Sequence, residues 1–163
     1  MEMTKEIMHA VLVGIGATGI MDVWLMLLKR LGVPAFNFAL MGRWAGHWAQ
    51  GRFAHESIGK AAPVRGEAAL GWLLHYATGI TFAGLLTFAA GPEWLENPTP
   101  LPALALGIVT VAVPWLVMQP AMGAGIASSR TPAPMANRLR SLANHAVFGC
   151  GLYGAAVFIN WIY

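Results

Sequence analysis

Charge is what this sequence has least of. Of its 163 residues, 10 are Lys or Arg and 7 are Asp or Glu, a charged fraction of 10%, against about 25% in soluble domains. So small a polar complement cannot shell a water-soluble enzyme. With 57% hydrophobic residues and 19 glycines, it also excludes a disordered tail and an acidic solvating segment. Cysteine is nearly absent, since Cys150 stands alone. That removes a disulfide framework and a zinc site of cysteine type, and Cys150 is expected to be a small packed residue. A nucleophile with base and orienter, a phosphate-binding loop and a paired-carboxylate site are missing as well.

What is abundant is uncharged hydrophobic length. Four runs approach the ~20 residues needed to cross a ~30 Å hydrocarbon core. They are Ile7 to Leu28, Leu70 to Ala90, Leu101 to Gln119 or so, and Leu142 to Tyr163. The second and fourth carry no Lys, Arg, Asp or Glu, and the first carries only Asp22. Pro114 and Pro120 leave the end of the third open. Because a proline in lipid frees a carbonyl that a neighbouring helix must satisfy, Pro114 predicts a kink packed against protein. The pattern predicts an all-α fold, a single transmembrane domain built as a four-helix bundle.

The basic residues set an expected direction, because short cytoplasmic loops hold the excess of Lys and Arg. Lys29, Arg30, Arg43, Arg52, Lys60 and Arg65 lie between the first two runs, and Arg130, Arg138 and Arg140 between the last two, so nine of the ten share a side. Glu93 and Glu96 lie in the turn opposite. Both termini are therefore expected to face away from the cytoplasm. Met1 to Glu6 has no basic stretch and no A-x-A-like site follows, so Ile7 to Leu28 is expected to be a true span and not a cleaved leader. The basic excess is explained by topology, with no call for nucleic acid. Arg130, Arg138 and Arg140 are candidates for gripping anionic lipid headgroups, at ~1 kcal/mol each near the surface.

Residues 32–66 are too long for a simple connection and too aromatic for a solvated linker. Asn37 is placed to cap a short helix with Phe38, Met41, Trp44, Ala45 and Trp48 on one face and Arg43, His47 and Gln50 on the other. Tryptophan beside basic residues at helical spacing describes an amphipathic segment in the interface plane. The competing reading turns Arg43 and His47 over the helices as a lid or ligand contact.

Gly14, Gly16 and Gly19 match the dinucleotide pattern G-x-G-x-x-G, but they sit inside a hydrophobic helix without the strand and acidic residue that motif requires. Close packing of helices is the better explanation. Asp22 carries more weight, since an ionisable group within a span costs ~2.5–3.5 kcal/mol on insertion scales and needs a partner or water. Counting at 1.5 Å per residue from Lys29, Glu67 and Arg140 places Asp22 about 10 Å, His75 about 12 Å and His145 about 7 Å in from the same side. Met118, Gln119 and Met122 reach that level if the third helix runs so far. Three readings compete for this cluster. It is structural hydrogen bonding, a small-ligand or proton site with Asp22 as counter-ion, or a metal or haem site using His75 and His145 with Asp22, Met118 or Met122. His9 and His55 are expected to be solvated or interfacial.

The strings GATGIMDVW (Gly16 to Trp24), GRWAGHWAQGRFAH (Gly42 to His55), APVRGEAALGWLLHY (Ala62 to Tyr76), PWLVMQPAMGAGIASSRTPAP (Pro114 to Pro134) and RLRSLANHAVFGCGLY (Arg138 to Tyr153) resemble a family of small bacterial integral-membrane proteins known only as a domain of unknown function. The resemblance covers nearly the whole chain and runs through Asp22, Arg43, His47, His75, Gln119, Arg130 and His145. It implies a bacterial inner-membrane protein of about four helices, and it brings no activity, cofactor or catalytic residue. The functional expectation is a non-enzymatic protein that binds or moves a small solute, proton or ion through a cytoplasm-facing site. Its rival is an accessory protein whose polar cluster is structural. Four short helices enclose little volume, so transport would call for a homo-oligomer, with Gly149 and Ala155 as contact faces.

Overall fold

The computed structural model describes residues 2–162, so Tyr163, the expected end of the fourth span, lies outside the described residues. Among those residues there is no strand, and the helices run α1 (Glu2–Arg30), α2 (Phe38–Gly46), α3 (Glu67–Ala90), α4 (Glu93–Glu96), α5 (Pro100–Val109), α6 (Gln119–Ala121) and α7 (Pro134–Ile162). Four helical stretches are long and apolar enough to cross a membrane: Met3–Arg30, Glu67–Ala90, Pro100–Ala121 and Pro134–Ile162. The basic pair Lys29 and Arg30 closes α1, where cations suit the negative end of the helix dipole.

Contacts divide the chain into two compact units. The first takes the chain up to Ala35, Tyr76–Thr110 and the chain from Ala143, and the second takes Phe36–His75 and Val111–Leu142. In the first unit the core is made of small and branched residues: Val13, Ala17, Ala83, Leu86, Ala103, Leu152 and Ala156 are buried, with Trp94 and Leu95 of α4 closing one end. Glycine lets these backbones approach. A side chain on Gly14 would meet the backbone of Ile80 at 2.6 Å, one on Gly107 the Gly149 backbone at 2.7 Å, and one on Gly151 the Ala17 backbone at 3.0 Å. Within this unit α1 therefore lies against both α3 and α7, and α7 against α5.

The third apolar stretch is broken, as Pro114 predicts. Regular winding stops at Val109, and from Pro114 to Met118 the chain takes a π turn, with the Gln119 N–H reaching back to the Pro114 carbonyl. Proline has no N–H to give to the turn before it, and wider winding absorbs the misfit. The chain nonetheless stays helical through Ala121.

In the second unit α2 forms where expected, with the Asn37 side chain accepting the Ala39 N–H at 3.0 Å. It is held against the start of α3, because Gly42 packs directly on the backbone of Glu67 and Gly71 with no room for a Cβ. Phe38 joins the contact, its ring lying against Trp72 and His75 of α3. The loop from Met122 to Ser129 turns through Gly123 and Gly125 at positive φ, followed by Ala127 and Ser128 at φ 47° and 62°. These last two are uncommon for residues with a Cβ. Side-chain bonds hold the loop: Arg138 Nε donates to the Ala127 carbonyl at 2.8 Å and Ser128 Oγ to Gln119 Oε1 at 3.0 Å.

Three expectations are corrected. Cys150 is exposed on α7 and not packed, because its neighbours Gly149 and Gly151 are the residues that face the core. Gly149 and Ala155 are buried inside the first unit and so cannot serve as oligomer faces. Gly19 has nothing within 4 Å of a would-be side chain, so close packing explains only Gly14 and Gly16.

This contrast is testable on neighbouring glycines. Gly14→Val overpacks a backbone contact and is expected to destabilise by about 1–3 kcal/mol, whereas Gly19→Val is expected to be neutral. Denaturant-induced unfolding of the purified variants in mixed micelles reads both, and equal losses would contradict the packing assignment.

Candidate functional site

The polar groups of the first unit are arranged as links between helices. Asp22 on α1 is 7% exposed and accepts a hydrogen bond from Tyr76 Oη of α3 at 2.9 Å. Two residues on, Trp24 Nε1 donates to Asn144 Oδ1 of α7 at 2.9 Å. His145, next along α7, has Nδ1 at 3.0 Å from Thr110 Oγ1 and 3.2 Å from the Gly107 carbonyl. Thr110 Oγ1 donates to that same carbonyl at 2.7 Å, at the point where regular winding of α5 has just stopped. Since a carbonyl only accepts, the geometry assigns the His145 proton to Nδ1.

His75 falls in the second unit, 8% exposed, with its ring stacked on Phe38 at 4.1 Å and edge-on to Trp72 at 5.7 Å. Of the third-helix candidates, Met122 is buried, Met118 is half-buried, and Gln119 is bonded to Ser128. Among the described residues no group of three or more His, Cys, Asp or Glu side chains is disposed to hold a metal ion. Arg130 is exposed, while Arg138 holds the Ala127 carbonyl and Arg140 Nη1 donates to Asn137 Oδ1 at 3.2 Å.

The strongest polar construction in the second unit centres on Arg43 of α2. Its guanidinium meets the Glu67 carboxylate with both prongs, Nε to Oε2 at 2.8 Å and Nη2 to Oε1 at 2.7 Å. Nη1 turns away to the Ala61 carbonyl at 3.1 Å. Glu67 Oε2 also accepts the Val64 N–H at 2.9 Å. One planar fork thereby ties α2, the chain entering α3 and α3 itself, and the bond to Glu67 raises the Arg43 pKa further above its already high value. His47, expected on the polar face, is instead 2% exposed and bonded to His55 and the Ala62 carbonyl. His55 is half-buried beside it, its Nε2 turned to His47 and not to solvent. His9 likewise has a buried Nε2 with no hydrogen-bond partner.

Tyr76, Thr110, Asn144 and Glu67 were not singled out by sequence reasoning. The signal for the first three was available, since a neutral hydroxyl or amide in an apolar run has the same need of a partner as Asp22 has. Glu67 sits at a helix start beside loop arginines, where an acidic residue has an ordinary explanation in the helix dipole.

Bidentate geometry makes the Arg43 site sensitive to shape as well as charge. Arg43→Lys keeps the charge but loses the fork, and is expected to lower the melting temperature by about 2–4 °C. Glu67→Gln should cost a comparable amount, and the double variant should lose less than the sum. Scanning fluorimetry of the four proteins checks this, and strict additivity would count against a coupled pair.

No curated protein and no solved structure matches the chain. A family model described as a protein of unknown function, DUF2938, matches residues 11–159. That range takes in Asp22, Tyr76, Thr110, Asn144 and His145 as well as Arg43, His47, His55 and Glu67, and the chain belongs to the DUF2938 family.

Proposed function

We propose that this is a multi-pass protein of the bacterial inner membrane that binds or moves a proton or small cation at Asp22, with Tyr76 as its hydrogen-bonding partner. The reading rests on one observation: Asp22, the only acidic residue of the run from Ile7 to Leu28, is buried and receives a phenolic hydrogen bond. An ionisable group at such a place is expensive to keep, and function is the usual reason for keeping it. His145 and Thr110 form a second polar step in the same unit. The nine basic residues between spans one and two and between spans three and four support an orientation with both termini outside the cytoplasm. Of Arg130, Arg138 and Arg140, Arg130 is the exposed one and so the best placed of the three to meet an anionic headgroup. Lipid is the surrounding partner, and an oligomer would have to use faces other than Gly149 and Ala155.

A second reading has its own observation. The Asp22–Tyr76, Trp24–Asn144 and Thr110–His145 contacts each join two different helices, which is what an accessory protein with a purely structural polar set would need.

Asp22→Asn separates the two. The amide oxygen still accepts from Tyr76, so that bond survives, while the charge and the titration are lost. The expected outcome is a folded variant with a melting temperature within about 2 °C of the parent. Its proton or cation flux, read with a trapped pH- or cation-sensitive dye in proteoliposomes, is expected to fall to that of empty vesicles. Full flux in Asp22→Asn, or no flux in the parent protein, would leave the structural reading in possession.

A further inference from the structure

In the second unit, His47 and His55 fix one another's tautomers. His47 Nε2 lies 3.0 Å from the Ala62 carbonyl, and a carbonyl only accepts, so this nitrogen carries the proton. In a neutral ring Nδ1 is then a bare lone pair. It lies 2.7 Å from His55 Nε2, which must therefore donate. One lone pair is left over, on His55 Nδ1, and it is buried with no hydrogen-bond partner.

The segment around this pair is held by a small set of bonds. The His55 N–H donates to the Ala121 carbonyl at 2.8 Å and the Ile58 N–H to the Met122 carbonyl at 3.0 Å. Trp44 Nε1 donates to the Phe53 carbonyl at 2.8 Å, and Arg43 to that of Ala61. The fit is close, because Gly123, at φ 92°, has the Glu56 carbonyl where a Cβ would stand. We infer that the His47–His55 pair is an acid-sensitive latch on residues 53–62, shut while both rings are neutral and loosened when His55 Nδ1 takes a proton.

Of the charges around the pair, Glu67 lies within electrostatic reach through His47, but its carboxylate is already taken by a cation, so such a proton gains no free counter-ion there. From α2 comes Arg43 and from the start of α3 Glu67, and these are bound to each other. On the segment itself are Glu56 and Lys60, with Arg52 just before it, all exposed. The facing Gln119–Met122 stretch has no ionisable residue. Burial lowers the His55 pKa below the ordinary imidazole value of 6.5, and His47 and Arg52 push it the same way, with the Ala121 carbonyl offsetting part. The sign follows: above pH 6.5 neither state binds the proton and the latch is indifferent to pH. As pH falls below 6.5 toward the lowered value, the open segment binds the proton first and is favoured.

The test is hydrogen–deuterium exchange of the full-length protein in nanodiscs, corrected for the intrinsic rate, at about pH 7.5 and about pH 5.5. Opening of the 53–62 amides is expected to rise by up to about tenfold at the lower pH, the factor that one pH unit below a free imidazole allows. His55→Gln keeps an N–H for His47 Nδ1 but has no proton site, so its exchange should stay flat between the two. A flat response in the parent protein, or an undiminished one in His55→Gln, overturns the proposal. Should that variant fail to fold, nitrogen-15 histidine spectra of the parent protein decide. A bare Nδ1 on His55 at neutral pH, titrating below 6.5, supports the latch. A protonated Nδ1, or titration at or above that value, overturns it.

Discussion

A polar side chain on a helix long and apolar enough to cross a membrane has no bulk water to turn to, so it must find its partner within the protein. The first unit is organised around that requirement. Asp22 finds Tyr76, Trp24 finds Asn144, and His145 finds Thr110 with the Gly107 carbonyl. Each bond can be made only if two helices come close, and the glycines supply the closeness. Gly14 lets α1 reach α3, Gly151 lets it reach α7, and Gly107 lets α5 reach α7. Small residues and polar pairs are thus two halves of one arrangement. With little hydrophobic driving force between helices in lipid, backbone proximity and interhelical bonding are the terms that select partners.

The second unit solves a different problem, that of holding an irregular stretch of chain. Residues 47–66 contain only two short 3₁₀ turns, His47–Gln50 and Ile58–Lys60, so their backbone groups need outside partners. Arg43 supplies several donors from one planar group, Glu67 accepts from both Arg43 and the Val64 amide, and the Ala121 and Met122 carbonyls take two amides of the segment. Those carbonyls are available because the helix ends at Ala121, after the π turn that Pro114 imposes. A proline in one apolar stretch is in this way connected to the seating of a loop that precedes it by about a third of the chain.

Some of this was legible beforehand. Asn37 as a cap, the disturbance at Pro114, the burial of Asp22 and the rejection of Gly14 and Gly16 as a nucleotide motif all follow from local rules: a side chain that accepts from its own backbone, a missing N–H, a charge without water, a helix where a turn was needed. What was not legible depended on residues far apart in the chain. Nothing near His55 indicates that Ala121 lies over it, so a loop histidine was expected to be solvated. Nothing on α2 indicates that Gly42 meets α3, because a glycine shows its importance only through what stands opposite. Cys150 was misjudged for the same reason, lying between two glycines that take the packed positions.

By itself the sequence determined the helical class, the four apolar stretches and the positions at which ionisable groups are hard to accommodate, since these depend on hydropathy and on rules that act within a few residues. Tertiary structure alone decided the partners: Tyr76 for Asp22, Thr110 for His145, Glu67 for Arg43 and His47 for His55. A hydrogen bond depends on distances of about 3 Å between atoms, and in this chain those distances are set by which helices and turns approach, a quantity no local pattern contains. The scarce charges with which the chain begins thus acquire their meaning from the groups brought against them.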